Sequence, residues 1–155
     1  MTMKTLPQLD LSHYSNSLSL SQVIAYFSRL GIELKPTTIQ NYVRVGVLPP
    51  VQNRRYSKQH VVYLALINHL KEFLSLEQLK QLFGLVDFGE TEEALIAFYV
   101  RYQQLDADTH QQFLAFYATL TQQVEQVLGD TNPSQKELMA GLLLGTLGSA
   151  LKTMV

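Results

Sequence analysis

The stretch PTTIQNYVRVGVLPPVQNRRYS, residues 36–57, decides the fold. Pro36 stands where a first helical residue is favoured, because the N–H it lacks is one the first turn leaves unpaired anyway. The helix Thr37 to Val45 then closes on Gly46, which tolerates the left-handed turn out of a helix. At about 100° per residue, Ile39, Tyr42, Val43 and Gly46 fall on one side, while Thr37, Gln40, Asn41 and Arg44 gather on the other. The first side is expected core. The second is a row of groups that can read base edges: Gln and Asn pair bidentately with adenine, Arg with guanine, and Thr bonds a phosphate or touches a thymine methyl. The same row also fits an ordinary solvated helix face.

Working outward, Val47-Leu48-Pro49-Pro50 leaves this helix, Val51 to Asn53 makes a tight connection, and Arg54-Arg55-Tyr56 returns. This predicts a small β-hairpin wing at 51–56 whose two arginines face phosphates or an adjoining minor groove, or else are solvated in a surface loop. Upstream, Ser19 and Gln22 have the spacing of a capping box, and Val23, Ile24, Phe27 and Leu30 follow at helical intervals up to Gly31. Downstream, Ser57 starts a helix apolar over most of its circumference, from Val61 to Leu70. Ser75 and Gln78 repeat the capping-box spacing for a fourth helix, with Leu76, Leu79, Leu82 and Phe83, ending near Gly84. Residues 1–18 are polar and turn-rich, and a flexible N-terminal arm is expected there.

The order of these elements, with GVLPP (46–50), RRYS (54–57) and LKEFLSLEQLKQLF (70–83), resembles the DNA-binding domain of the MerR family. It resembles more closely a bacterial family with a MerR-like head, domain of unknown function 1836. The resemblance covers about Leu18 to Phe83, a little over half the chain. It implies a winged helix-turn-helix head at 19–84, with Thr38, Gln40, Asn41, Tyr42 and Arg44 on or beside the recognition helix. It also implies that Arg54 and Arg55 contact the DNA backbone, and that Tyr56 packs inward to brace the wing. With Thr37 and Lys58 these make the candidate DNA-binding residues. Two departures stand out: the segment between Pro50 and Arg54 is shorter than in typical MerR proteins, and Gln40 stands where arginine is common.

Charge agrees with a DNA-binding head. Through His60 the chain carries seven basic residues against two acidic, and from Val61 onward five against eleven, so a polyanion is attracted to the first part and repelled by the second. The absence of cysteine removes disulfides, thiolate metal sites and thiol catalysis, and suits a reducing cytoplasm. A cytoplasmic location is expected, with no signal peptide. No membrane span is expected either, since the longest uncharged apolar stretch, Leu138 to Leu151, is short of the roughly 20 residues a bilayer needs.

The region 90–155 reads as a helical bundle for dimerisation or sensing. Thr91 to Leu105 and Asp108 to Leu128 each read as an amphipathic helix, with Glu92, Glu93, Asp106 and Asp108 at helix starts. Asn132 and Pro133 begin a last helix containing Gly141, Gly145 and Gly148, which would let another helix approach closely. These helices are expected either to dimerise the protein or to pack within the chain. A cluster of Phe98, Tyr99, Tyr102, Phe113, Phe116 and Tyr117 reads as core or as a pocket for a small-molecule effector of unknown identity. His13, His60, His69 and His110 are dispersed and form no metal-ligand spacing, and no phosphate-cradling loop or nucleophile elbow occurs. No enzyme, no metal and no cofactor are expected. The fold expected is mostly α, a MerR-like winged helix-turn-helix with a β-hairpin wing followed by a helical C-terminal region. The function expected is transcription regulation through double-stranded DNA, as a homodimer. The alternative is a protein-interaction module on the same scaffold without DNA binding.

Overall fold

The computed structural model describes residues 5–87, 91–129 and 133–154. Among them six helices follow in order: α1 (Leu20–Arg29), α2 (Pro36–Val45), α3 (Lys58–Leu70), α4 (Leu76–Leu85), α5 (Glu92–Leu128) and α6 (Pro133–Met154). Local chemistry sets the first boundaries. Ser19 Oγ accepts from Gln22 N–H at 3.2 Å while Gln22 Oε1 accepts from Ser19 N–H at 2.8 Å, and Ser75 and Gln78 repeat the exchange ahead of α4. At the end of α2, Gly46 takes φ 78°.

The expected β-hairpin wing is not formed. Among the described residues there is no strand, only two single bridges, Gln52 with Arg55 and Leu18 with Tyr56. Pro49 and Pro50 have no N–H to give a ladder, and Val47 and Leu48 are drawn into the core, so too few residues remain before Tyr56 for two strands. What forms instead is a tight turn. Arg55 N–H donates to Gln52 O at 2.8 Å, with Asn53 at φ 50° and Arg54 at φ 56°, the positive pair that a two-residue hairpin turn requires. Tyr56 then pairs with Leu18 rather than with a strand of its own.

A single core runs through the first compact unit, which extends to Ala107. Helix α3 is central, with seven residues from His60 to Ile67 buried, because its apolar positions run around most of its circumference. Val23 and Phe27 of α1, Ile39 of α2 and Leu79 of α4 complete it, all without exposed surface. Leu95 and Tyr99, one turn apart on α5, belong to the same core, so the head extends beyond residue 84. Nor is residues 5–18 a loose arm. Leu6, Leu11 and Leu18 are buried, Tyr99 Oη donates to Pro7 O at 2.7 Å, and Leu6 N–H donates to Asp106 Oδ2 at 2.9 Å. Three leucines among the polar residues suffice to fasten the segment.

The two helices expected at 91–105 and 108–128 are one. No glycine or proline interrupts α5, and Asp106, read as a helix start, instead accepts the Leu6 N–H from within it. Tyr99 of the expected aromatic cluster is core, whereas Phe98 and Phe116 are exposed. The second compact unit, from Asp108, holds the rest of α5 and α6, and there the rings of Phe113 and Tyr117 stack at 6.4 Å. The helix start read at Asn132 and the domain start at residue 90 lie outside the described residues. No helix among the described residues is long and apolar enough to cross a membrane.

Candidate nucleic-acid interface

Helix α2 divides as its periodicity dictates. Ile39 and Tyr42 are buried, whereas Thr37, Gln40 and Arg44 are exposed and Thr38 and Asn41 half-buried. Tyr42, carried by resemblance as a DNA-binding candidate, is 6% exposed and serves the core; burial pushes its hydroxyl above the ordinary tyrosine range. Arg44 Nη2 donates to Asn41 Oδ1 at 2.6 Å. That bond takes one of the two lone pairs of the Asn41 oxygen and holds the Arg44 guanidinium on the helix face.

The turn at 52–55 separates its two arginines. Arg54 lines a cleft of about 450 Å³ with Gln40 and Val43 of α2, Leu20 of α1, Val51 and Tyr56. Arg55 lines another, of about 570 Å³, with Asn16, Ser17, Gln59 and His60. Arg54 therefore shares a concavity with Gln40 of the polar face of α2, and Arg55 lines a different one. Lys58, half-buried at the start of α3, donates its backbone N–H to Asn16 Oδ1 at 3.4 Å. Arg54 in the left-handed region is a backbone cost of about 1–2 kcal/mol for a residue with a Cβ, so the chain holds an arginine where glycine would be easier.

His60 fixes the turn from below. Ser57 N–H donates to its Nδ1 at 3.0 Å, which makes Nδ1 the acceptor and leaves Nε2–H to donate to Pro50 O at 3.3 Å. Burial pushes the imidazole below the ordinary histidine value of 6.5, and the carbonyls of Pro50 and Pro49 and the charge of Glu92 offset part of this. One neutral ring thus ties the exit from α2 to the entry of α3, with the arginine turn between them.

Sequence reasoning missed Lys80. A Cβ placed on Gly46 would lie 3.4 Å from Lys80 Cε and Nζ, so this ammonium group sits at the carboxyl end of α2, where the helix dipole is negative. Counting charge on either side of His60 placed Lys80 in the acidic part of the chain; no sequence signal connects it with Gly46. Among the described residues no group of three or more His, Asp or Glu could hold a metal ion.

No curated protein and no solved structure matches the chain. The family described as Domain of unknown function (DUF1836) matches residues 1–104, nearly the whole of the compact unit that ends at Ala107. The chain belongs to the DUF1836 family.

Proposed function

We propose that the first unit is a DNA-binding head of the helix-turn-helix type, related to the MerR family, with α2 as the helix that enters a major groove and a tight turn for phosphate contact. The observation that carries this reading is the cleft shared by Gln40 and Arg54, with Arg44 exposed on the same helix. Its electrostatics support it: from Leu34 to Lys71 the chain has no acidic residue and six basic ones, so this segment attracts a polyanion without internal competition. Lys80 adds a cation at the end of α2. In this reading Arg44, steadied by Asn41, and Gln40 read base edges, while Arg54, Arg55, Lys58 and Lys80 meet phosphates. The protein would act as a transcription regulator on double-stranded DNA in the cytoplasm, with any effector of small-molecule type.

Fluorescence anisotropy of the purified protein against a randomised duplex pool and host promoter fragments, at several salt concentrations, tests this. Saturable, sequence-selective binding that weakens steeply with salt is the expected result. Absence of binding at low salt would rule it out and direct the search to a protein partner.

A further inference from the structure

Three remote parts of the chain wall a cleft of about 620 Å³ in the first compact unit: Thr5 and Pro7, Leu30 to Glu33 at the end of α1, and Asn68, His69 and Lys71 at the end of α3. A cleft of this size suits a small molecule. Its walls carry opposite charges on Glu33 and Lys71, both exposed, and among the described residues neither forms an ion pair. The Asn68 amide, half-buried in the same wall, has no hydrogen bond to a described residue, so its donors and acceptor are open. Half-buried Pro7, Leu30 and Ile32 supply an apolar part. The last turns of α1 and α3 both end here, which adds the negative ends of two helix dipoles to the Glu33 carboxylate.

We propose that this cleft binds a free α-amino acid with an apolar side chain. Its ammonium group meets Glu33 and the helix ends, its carboxylate meets Lys71 and Asn68, and its side chain lies against Pro7, Leu30 and Ile32. A ligand with one charge leaves the opposite wall unanswered, whereas a zwitterion satisfies both. The walls also connect the cleft with α5. Thr5 and Pro7 flank Leu6, whose N–H donates to Asp106 Oδ2 at 2.9 Å, and Pro7 O accepts from Tyr99 Oη at 2.7 Å. His69, a third wall residue, has its Nε2 3.7 Å from Asp106 Oδ1. An amino acid bound here therefore stabilises, by mass action, the fastening of residues 5–7 to α5. Its role as the effector of a regulator rests on the DNA-binding reading; the binding itself does not.

Calorimetric titration of the full chain with each standard amino acid, up to millimolar concentration, tests this. Saturable binding of an apolar amino acid is expected, with a melting temperature that rises with ligand concentration. Its N-acetyl and carboxamide derivatives, which each lack one charge, should bind about tenfold more weakly or worse. Glu33→Gln should abolish discrimination against the N-acetyl derivative, and Lys71→Met discrimination against the carboxamide, with circular dichroism as the check on folding. The two derivatives decide the matter on the wild type if a variant misfolds. No saturable binding by any amino acid, preference for an acidic or basic one, equal binding of either derivative, or folded variants that discriminate as the wild type does would each overturn the proposal. The titration contains no DNA, so its failure is distinct from failure of the DNA-binding reading.

Discussion

Leu18 and Tyr56 exchange two backbone hydrogen bonds, each 2.8 Å long, joining the residues that lead into α1 and α3. Tyr56 is buried, its ring edge-on to His60 at 5.5 Å, so the same residue closes the arginine turn and anchors it to the core. The turn is thereby held at its base although it has no strands. Tyr56→Ala removes a buried aromatic ring and is expected to cost about 3–5 kcal/mol, read from urea unfolding. A loss below about 1 kcal/mol would show that the turn is not anchored through this residue.

Arg54 separates stability from binding. Arg54→Gly removes the left-handed strain and should leave stability unchanged or raise it by up to about 1 kcal/mol, while binding to every duplex weakens and the salt dependence becomes shallower. Arg54→Val, β-branched at a positive φ, should destabilise. Thermal melts and anisotropy titrations of the two variants check both halves of the expectation.

Arg44 and Arg55 should behave differently from each other. Arg44→Ala is expected to weaken binding to a preferred site by about 1–3 kcal/mol and to relax base choice at one position. Arg55→Ala should weaken binding to all sequences alike and lower the slope of log affinity against log salt by about 1. Asn41→Ala, which frees the Arg44 guanidinium, should relax base choice as Arg44→Ala does, but less. Selection from randomised duplexes with each variant decides this, and equal loss of selectivity from Arg44→Ala and Arg55→Ala would overturn the assignment.

His60 makes stability pH-dependent. Its folded-state pKa lies below the unfolded value of 6.5, so between the two the unfolded chain binds the proton and the native chain does not. Its contribution is therefore complete above about pH 6.5 and is lost as the pH falls toward the folded value. Urea unfolding at pH 7.5 and 5.5 should show lower stability at the lower pH, and His60→Gln should reduce that difference. An unchanged difference would place the titrating group elsewhere.

Gly46 takes φ 78° beneath Lys80, so Gly46→Ala meets left-handed strain as well as a contact with the lysine stem. A loss of about 1–2 kcal/mol is expected. Lys80→Ala should leave stability nearly unchanged and weaken DNA binding without regard to sequence. Together the two variants separate the stop of α2 from the cation placed above it.

Much of the head was legible because its signals are local. Ser19 with Gln22 and Ser75 with Gln78 act within one helical turn, Pro36 and Gly46 act each at its own end of α2, and all mark boundaries found in the structure. The wing was misread because a return marked by arginines and a tyrosine suits a hairpin as well as a turn, and only the burial of Val47 and Leu48 decides how much chain is left over. The N-terminal segment was misread because the partners of its Leu6 and Pro7, Asp106 and Tyr99, lie far along the chain. The site was legible as a list of polar residues on α2, and the helical period put Tyr42 on the core side although the resemblance counted it among the DNA contacts; the sequence did not reveal that Asn41 is tied to Arg44 or that Lys80 reaches Gly46.

The sequence by itself determined where α1, α2 and α4 begin, where α2 stops and which face of α2 is polar, since capping chemistry and helical period depend only on residues a few places apart. Tertiary structure alone decided that the arginine turn carries no strands, that Arg54 rather than Arg55 shares a cleft with α2, and that the head continues to Ala107. These follow from packing and backbone pairing between residues remote in the chain, such as Leu18 with Tyr56 and Leu6 with Asp106, whose separation in space no local pattern encodes.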